Sequence, residues 1–176
     1  MAQLHNLNKE QLQDLSSRIS DSNIGGFSIK SHGPNAGSPP ENSYMVGLSQ
    51  YGQNKMPLPV APSEIGDFAT NRGTELAGDN KYLGGWIGEG QGASLDVSQA
   101  HPISKGRTPA MLQAYLGKEK AIGMVGAGGE YIKDIPTENP VNTLLRATGD
   151  IHGGDGNDSK GRFKSAKSKI ERQVPQ

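Results

Sequence analysis

The chain has 176 residues, with 18 Lys or Arg against 18 Asp or Glu and no cysteine. Disulfides and thiolate metal sites are therefore excluded, as is the large charge excess that accompanies disordered chains. Leu, Ile, Val and Phe fill 33 positions, and Gly and Pro take 25 and 11 more, which predicts a modest core with long irregular connections.

In chain order, Asn8 and Gln11 have the spacing of a capping box, and Leu12, Leu15 and Ile19 behind them form one face of a helix ended by Gly25 and Gly26. Phe27 and Ile29 begin a strand, residues 31–42 read as a loop, and residues 43–48 form the next strand. Phe27 and Tyr44 are expected to flank a long hairpin. Pro57, Pro59 and Pro62 then predict an extended link. Ser63 is the expected N-cap of a helix carrying Ile65, Phe68 and Leu76 and stopping near Gly78.

Tyr82-Leu-Gly-Gly-Trp86-Ile87 and Ser94-Leu-Asp-Val-Ser98 flank a glycine-rich window, the pattern of a β-hairpin. Thr108 as N-cap and Pro109 at the first helical position start another helix, with Met111, Leu112, Tyr115 and Leu116 as its apolar face and Gly117 at its end. Residues 121–125 and 130–135 read as a second hairpin turning about residues 126–129. The recurrence of hairpins and helices predicts an α+β fold. Its sheet is mainly antiparallel, with two or three helices on one face, and an extended polar C-terminal arm follows. The expected division is an N-terminal helix at 1–22, an α+β body at 23–135 and a basic arm at 136–176.

That division follows the apolar residues. Between Asp79 and Ile135, 17 of 57 positions are bulky and apolar or aromatic, against 7 of 41 from Pro136 onward. The second stretch lacks the apolar area to offset its own ordering entropy. It carries Lys160, Arg162, Lys164, Lys167, Lys169 and Arg172 against Glu171, with Phe163, Ala166 and Ile170 at helical spacing. An amphipathic helix formed on a partner fits that pattern. With Leu144 and Leu145, these cations and Phe163 and Ile170 are the candidate partner-binding residues. Six cations could also contact phosphates weakly, though a single aromatic gives little base stacking.

Other motifs point to no chemistry. Each glycine cluster precedes a strand rather than a helix N-terminus, and no Gly-Lys-Ser/Thr occurs, so these are turns and not phosphate cradles. His5, His32, His101 and His152 are scattered and lack metal-ligand spacing. Asp155, Asn157 and Asp158 lack the distal glutamate of a calcium loop and precede Lys160. Asp96 and His101 are the one carboxylate–histidine pair worth testing for hydrogen-bond reach. No catalytic residue, cofactor or metal is expected. No apolar run approaches the ~20 residues that span a bilayer, and the first eight residues lack the pattern of a secretory leader.

Gly25-Gly26-Phe27-Ser28, Ser43-Tyr44-Met45-Val46, Tyr82-Leu-Gly-Gly-Trp86, Leu95-Asp96-Val97-Ser98 and Ala121-Ile122 together resemble an uncharacterised domain encoded by tailed bacteriophages. The similarity covers about residues 24–125. Where the relatives carry a longer acidic helix after the hairpin, this chain has Lys105-Gly-Arg-Thr-Pro109. The resemblance implies a phage virion protein, such as a capsid decoration or minor structural component. It would reside in the host cytoplasm before assembly, bind neighbouring virion or capsid proteins through its termini, and have symmetry as a route to homo-oligomers. The alternatives are a nucleic-acid-binding accessory protein using the basic tail, and a small phage effector or enzyme. In this reading Trp86 is the main core anchor, and Trp86→Ala would cost about 3–5 kcal/mol if the ring were fully buried.

Overall fold

The computed structural model describes residues 3–21, 23–51, 54–88 and 92–139, together with 141, 142 and 145. The arm beyond them, and with it all but the start of the expected unit 136–176, lies outside the described residues.

Helix α1 (Lys9–Ser20) begins at the expected capping box. Asn8 Oδ1 accepts from the Gln11 amide at 2.9 Å, and Gln11 Oε1 accepts from the Asn8 amide at 2.8 Å, which satisfies two otherwise orphaned donors. Strands β1 (Gly26–Ile29), β2 (Ser43–Gly47) and β3 (Asn54–Pro57) follow. Helices α2 (Pro62–Asn71) and α3 (Gly73–Leu76) then lead into β4 (Lys81–Ile87) and the eleven-residue β5 (Gly92–Pro102). Helix α4 (Thr108–Leu116), β6 (Ala121–Val125) and β7 (Tyr131–Pro136) complete the order.

The seven strands form one curled, antiparallel sheet in the order β1-β4-β5-β2-β6-β7, with β3 also pairing β5. This is the expected α+β fold. Strand β5 organises it. β4 runs along one edge of β5, and the other edge is divided between β3 at its start and β2 at its end.

All the longer helices pack on the same sheet face. Leu15 and Ile19 of α1 and Ile65 and Phe68 of α2 share a cluster with Phe27, Ile29, Leu83, Leu95 and Val97. Ala110, Met111 and Ala114 of α4 pack with Val46, Ile122 and Ile135. Val46 stands opposite Gln99, and strand alternation puts Gln99, Val97 and Leu95 on one side. The two clusters are therefore continuous along that face. Phe27 lies across from Gly85, where a Cβ would come within 2.5 Å of its ring and 2.9 Å of Ile19. The missing side chain at Gly85 is what lets β1 and α1 close onto the sheet.

Several local expectations are corrected. Phe27 and Tyr44 do not flank a hairpin, because β1 pairs with β4 while β2 pairs with β5 and β6. Local adjacency lost to burial against the longer central strands. Part of the proline-rich link is strand β3, whose mostly exposed residues carry no apolar alternation. The α2 cap is Ala61 rather than Ser63. Pro62 already occupies the first turn, and Glu64 reaches back to accept from the Ala61 amide at 2.8 Å. The α4 cap is Arg107, one residue before Thr108. The buried side of α4 is Ala110, Met111 and Ala114, while Tyr115 and Leu116 are exposed. The small alanines let this helix approach the sheet closely, so its contact stripe is not its bulkiest one.

Candidate functional site

The opposite sheet face, free of the helix clusters, holds a buried carboxylate, Asp96. Along β5, Leu95 and Val97 point toward the helices, so Ser94, Asp96 and Ser98 point the other way. Register places Trp86 beside Ser94, Gly84 beside Asp96 and Tyr82 beside Ser98. The result is an aromatic–glycine–aromatic row facing a serine–aspartate–serine row.

Asp96 is only 7% exposed. Its carboxylate lies over Gly84, where a Cβ would collide with Oδ1. Ser98 Oγ donates to Oδ1 at 3.1 Å, and the Trp86 indole N–H donates to the same carboxylate. Glu119, from the turn after α4, brings Oε1 to within 3.2 Å of the position a Gly47 Cβ would occupy, and Asp96 Oδ2 lies 3.6 Å from that point. Burial pushes the Asp96 carboxyl above the usual range. The bonds from Ser98 and Trp86 pull it back, and the Glu119 charge adds to the rise.

Trp86 itself is 49% exposed, which corrects its expected role as the core anchor. The ring belongs to the helix-free face, and burial goes instead to Leu83 and Gly85 on the other side of β4. Its N–H is tied to a buried acceptor while much of its ring meets solvent. Tyr82 sits beneath the Lys30 ammonium, 5.3 Å from the ring centroid, a cation–π distance.

The Asp96–His101 pair does not form. Five positions apart on a strand means opposite faces. His101 Nε2 bonds Gln113 Oε1 at 2.6 Å, and Gln113 Nε2 donates to Gln99 Oε1 at 3.2 Å, both under α4. The serine hydroxyls around Asp96 thus have a carboxylate but no imidazole beside them. The niche can hold or release a proton and orient an indole, and it lacks the base–nucleophile relay of acyl transfer. Among the described residues, no group of three or more His, Asp or Glu is placed to hold a metal ion, and no helix is long and apolar enough to cross a membrane.

Of the candidate partner residues, Leu144, Lys160, Arg162, Phe163, Lys164, Lys167, Lys169, Ile170 and Arg172 lie outside the described residues. Leu145 is described and partly exposed. A second feature was not singled out from sequence. Tyr115 and Leu116 at the end of α4, Lys118, Glu119 and Lys120 in the following turn, and Thr137 after β7 line an open groove of about 630 Å³. Thr137 Oγ1 is buried there without a hydrogen-bond partner. The signal for the Asp96 niche was present in the alternation of polar Ser94, Asp96 and Ser98 with apolar Leu95 and Val97. The groove was not legible, because Thr137, which completes its wall beside the 115–120 segment, is brought there only by the pairing of β7 with β6.

Compared with protein-family models, curated proteins and solved structures, the chain matches none.

Proposed function

We propose that the chain is a non-catalytic structural protein of a tailed bacteriophage virion, docking on neighbouring protein subunits. The observation that carries this reading is the exposure of large apolar side chains on α4 and on the edge strand β7. Leu116 is 78% exposed beside the open groove, and on the outermost strand β7 Tyr131 is 63% exposed and Ile132 nearly half. Leu116 stands at the Lys120–Thr137 end of the β6–β7 pair and Tyr131 at its other end, so outer elements offer a partner separate apolar contacts. The bacteriophage assignment rests on the sequence resemblance over residues 24–125, and the basic arm is expected to add contacts to the same partner.

The test is mass spectrometry of gradient-purified particles made by phage carrying wild type or Leu116→Glu. Wild-type chain banding with the particles, and its depletion in the variant, is the expected result. Abundance in the lysate with none in the particles overturns the reading. Salt-sensitive DNA binding that is lost on deleting residues 160–172 would instead favour the nucleic-acid alternative.

A further inference from the structure

Residues 3–7 run as a strap against Gly66 of α2 and Gly73 of α3, tied to the body through His32 and Asn6 and packed on it through His5. The Gln3 backbone lies against Gly73, where any Cβ would strike the Gln3 carbonyl oxygen. His5 rests on Gly66, with Nε2 3.0 Å from the position of a Cβ and Leu12 of α1 alongside. Gln3 O can only accept, so His32 Nε2 donates to it, at 3.0 Å; His32 Nδ1 then takes the Ser31 hydroxyl at 2.9 Å. His32 is 4% exposed and Ser31 is fully buried. The Asn6 amide donates to Ser31 O at 2.8 Å, and the Gly33 amide donates to Asn6 Oδ1 at 2.7 Å. Leu7 anchors the far end in the core.

One bond within the strap depends on a single ring nitrogen. The Leu7 amide donates to His5 Nδ1 at 3.2 Å, and only an imidazole unprotonated at Nδ1 can accept that bond. Protonation would set N–H against N–H.

We propose that residues 3–7 form an acid-released strap: a proton on His5 breaks the bond to Leu7 N–H and frees the segment from the shelf made by Gly66 and Gly73. Burial, then the neighbouring His32, holds the His5 ring below its ordinary value of 6.5. The lowering thus comes from burial and from His32, in the loop after β1, while a backbone bond at Leu7 and the charge of Asp67 on α2 oppose it. A lowered value in the docked state means that undocking takes up a proton. The docked strap is therefore most secure above pH 6.5 and loosens as pH falls through the lowered value. This inference concerns the opposite end of the chain from the groove and does not depend on the virion assignment.

Hydrogen exchange of the full chain at pH 7.5 and pH 5, expressed as protection factors, tests it. Peptides covering residues 3–7 should lose protection several-fold at pH 5 while β4 and β5 keep theirs. His5→Gln, whose amide oxygen can still accept from Leu7, should hold the strap at both pH values. Equal strap protection at the two pH values overturns the proposal, as does the same loss in His5→Gln or a simultaneous loss in β4 and β5. The His5 ring proton titration in wild type gives an independent reading. A midpoint at or above that of a histidine in an unstructured peptide also overturns it.

Discussion

Asp96 shows what a single buried carboxylate imposes on its neighbours. Gly84 must be bare because the carboxylate occupies the space of its side chain, and Trp86 must turn its N–H inward although much of its ring is in solvent. The folded-state value lies above the ordinary 3.8, so the folded protein holds this proton more tightly than the unfolded chain. That contribution is fully present below pH 3.8 and is lost as pH rises through the raised value. Asp96→Asn keeps an acceptor and removes the charge. It is expected to be more stable than wild type at pH 7, with the advantage vanishing near pH 4, read as the difference in urea midpoints. Wild type proving the more stable at pH 7 would contradict this account. Trp86→Phe keeps most of the apolar ring but leaves the carboxylate one donor short, at a cost of about 1–3 kcal/mol. The cost should shrink in the Asp96→Asn background, because the interaction is pairwise. This replaces the larger loss anticipated from a fully buried tryptophan.

Among the secondary-structure elements, β7 stands out as an exposed outer strand. Its unpaired side is a template for another strand, and Lys133, Asp134 and Pro136 are the residue types that discourage such pairing. A second copy adding antiparallel and symmetrically about Lys133 or Asp134 would put like charges face to face. The double variant Lys133→Val with Asp134→Val is expected to self-associate in sedimentation velocity, and a variant that stays monomeric would remove the protective role from these charges. Legibility from sequence divides at this level too. The α1 cap, two of the three expected hairpins and the one-sided packing of helices followed from a capping box, glycine turns and apolar periodicity, whereas the α2 and α4 caps lay one or two residues before those expected. Strand β3 and the partners of β1 did not, because an exposed strand carries no alternation and pairing across more than fifty residues leaves no local mark. Helix α4 was found, but its buried side was misjudged. Bulk suggested Tyr115 and Leu116, whereas closeness of approach selected Ala110 and Ala114. The polar row of the Asp96 niche was legible as a pattern. Its meaning required knowing that Gly84 stands opposite.

Considered whole, the molecule carries its core within the body. The buried apolar side chains among the described residues run from Leu7 to Ile135 and join the helices to one continuous sheet. A chain ending after Asn139 is therefore expected to unfold cooperatively with stability within about 0.5 kcal/mol of the full-length protein, measured in urea. A larger loss would assign the arm a structural role in the isolated protein. The strap and the groove lie at the two ends of this body in sequence, so conditions that loosen one need not alter the other.

The pairing pattern has a consequence for how the protein is made. Each of the first three strands finds its partners only later in the chain: β1 with β4, β2 with β5 and β6, and β3 with β5. None of the three pairs with another. During synthesis, at roughly 5–20 residues per second, a nascent chain that has cleared the ribosome only through α3 would carry three strands without a ladder between them. The ladders of β1, β2 and β3 must wait until β4, β5 and β6 have emerged, so those three strands can join the sheet only after the Trp86 hairpin has been made. Until it emerges, the growing protein is most open to chaperones and to misassociation.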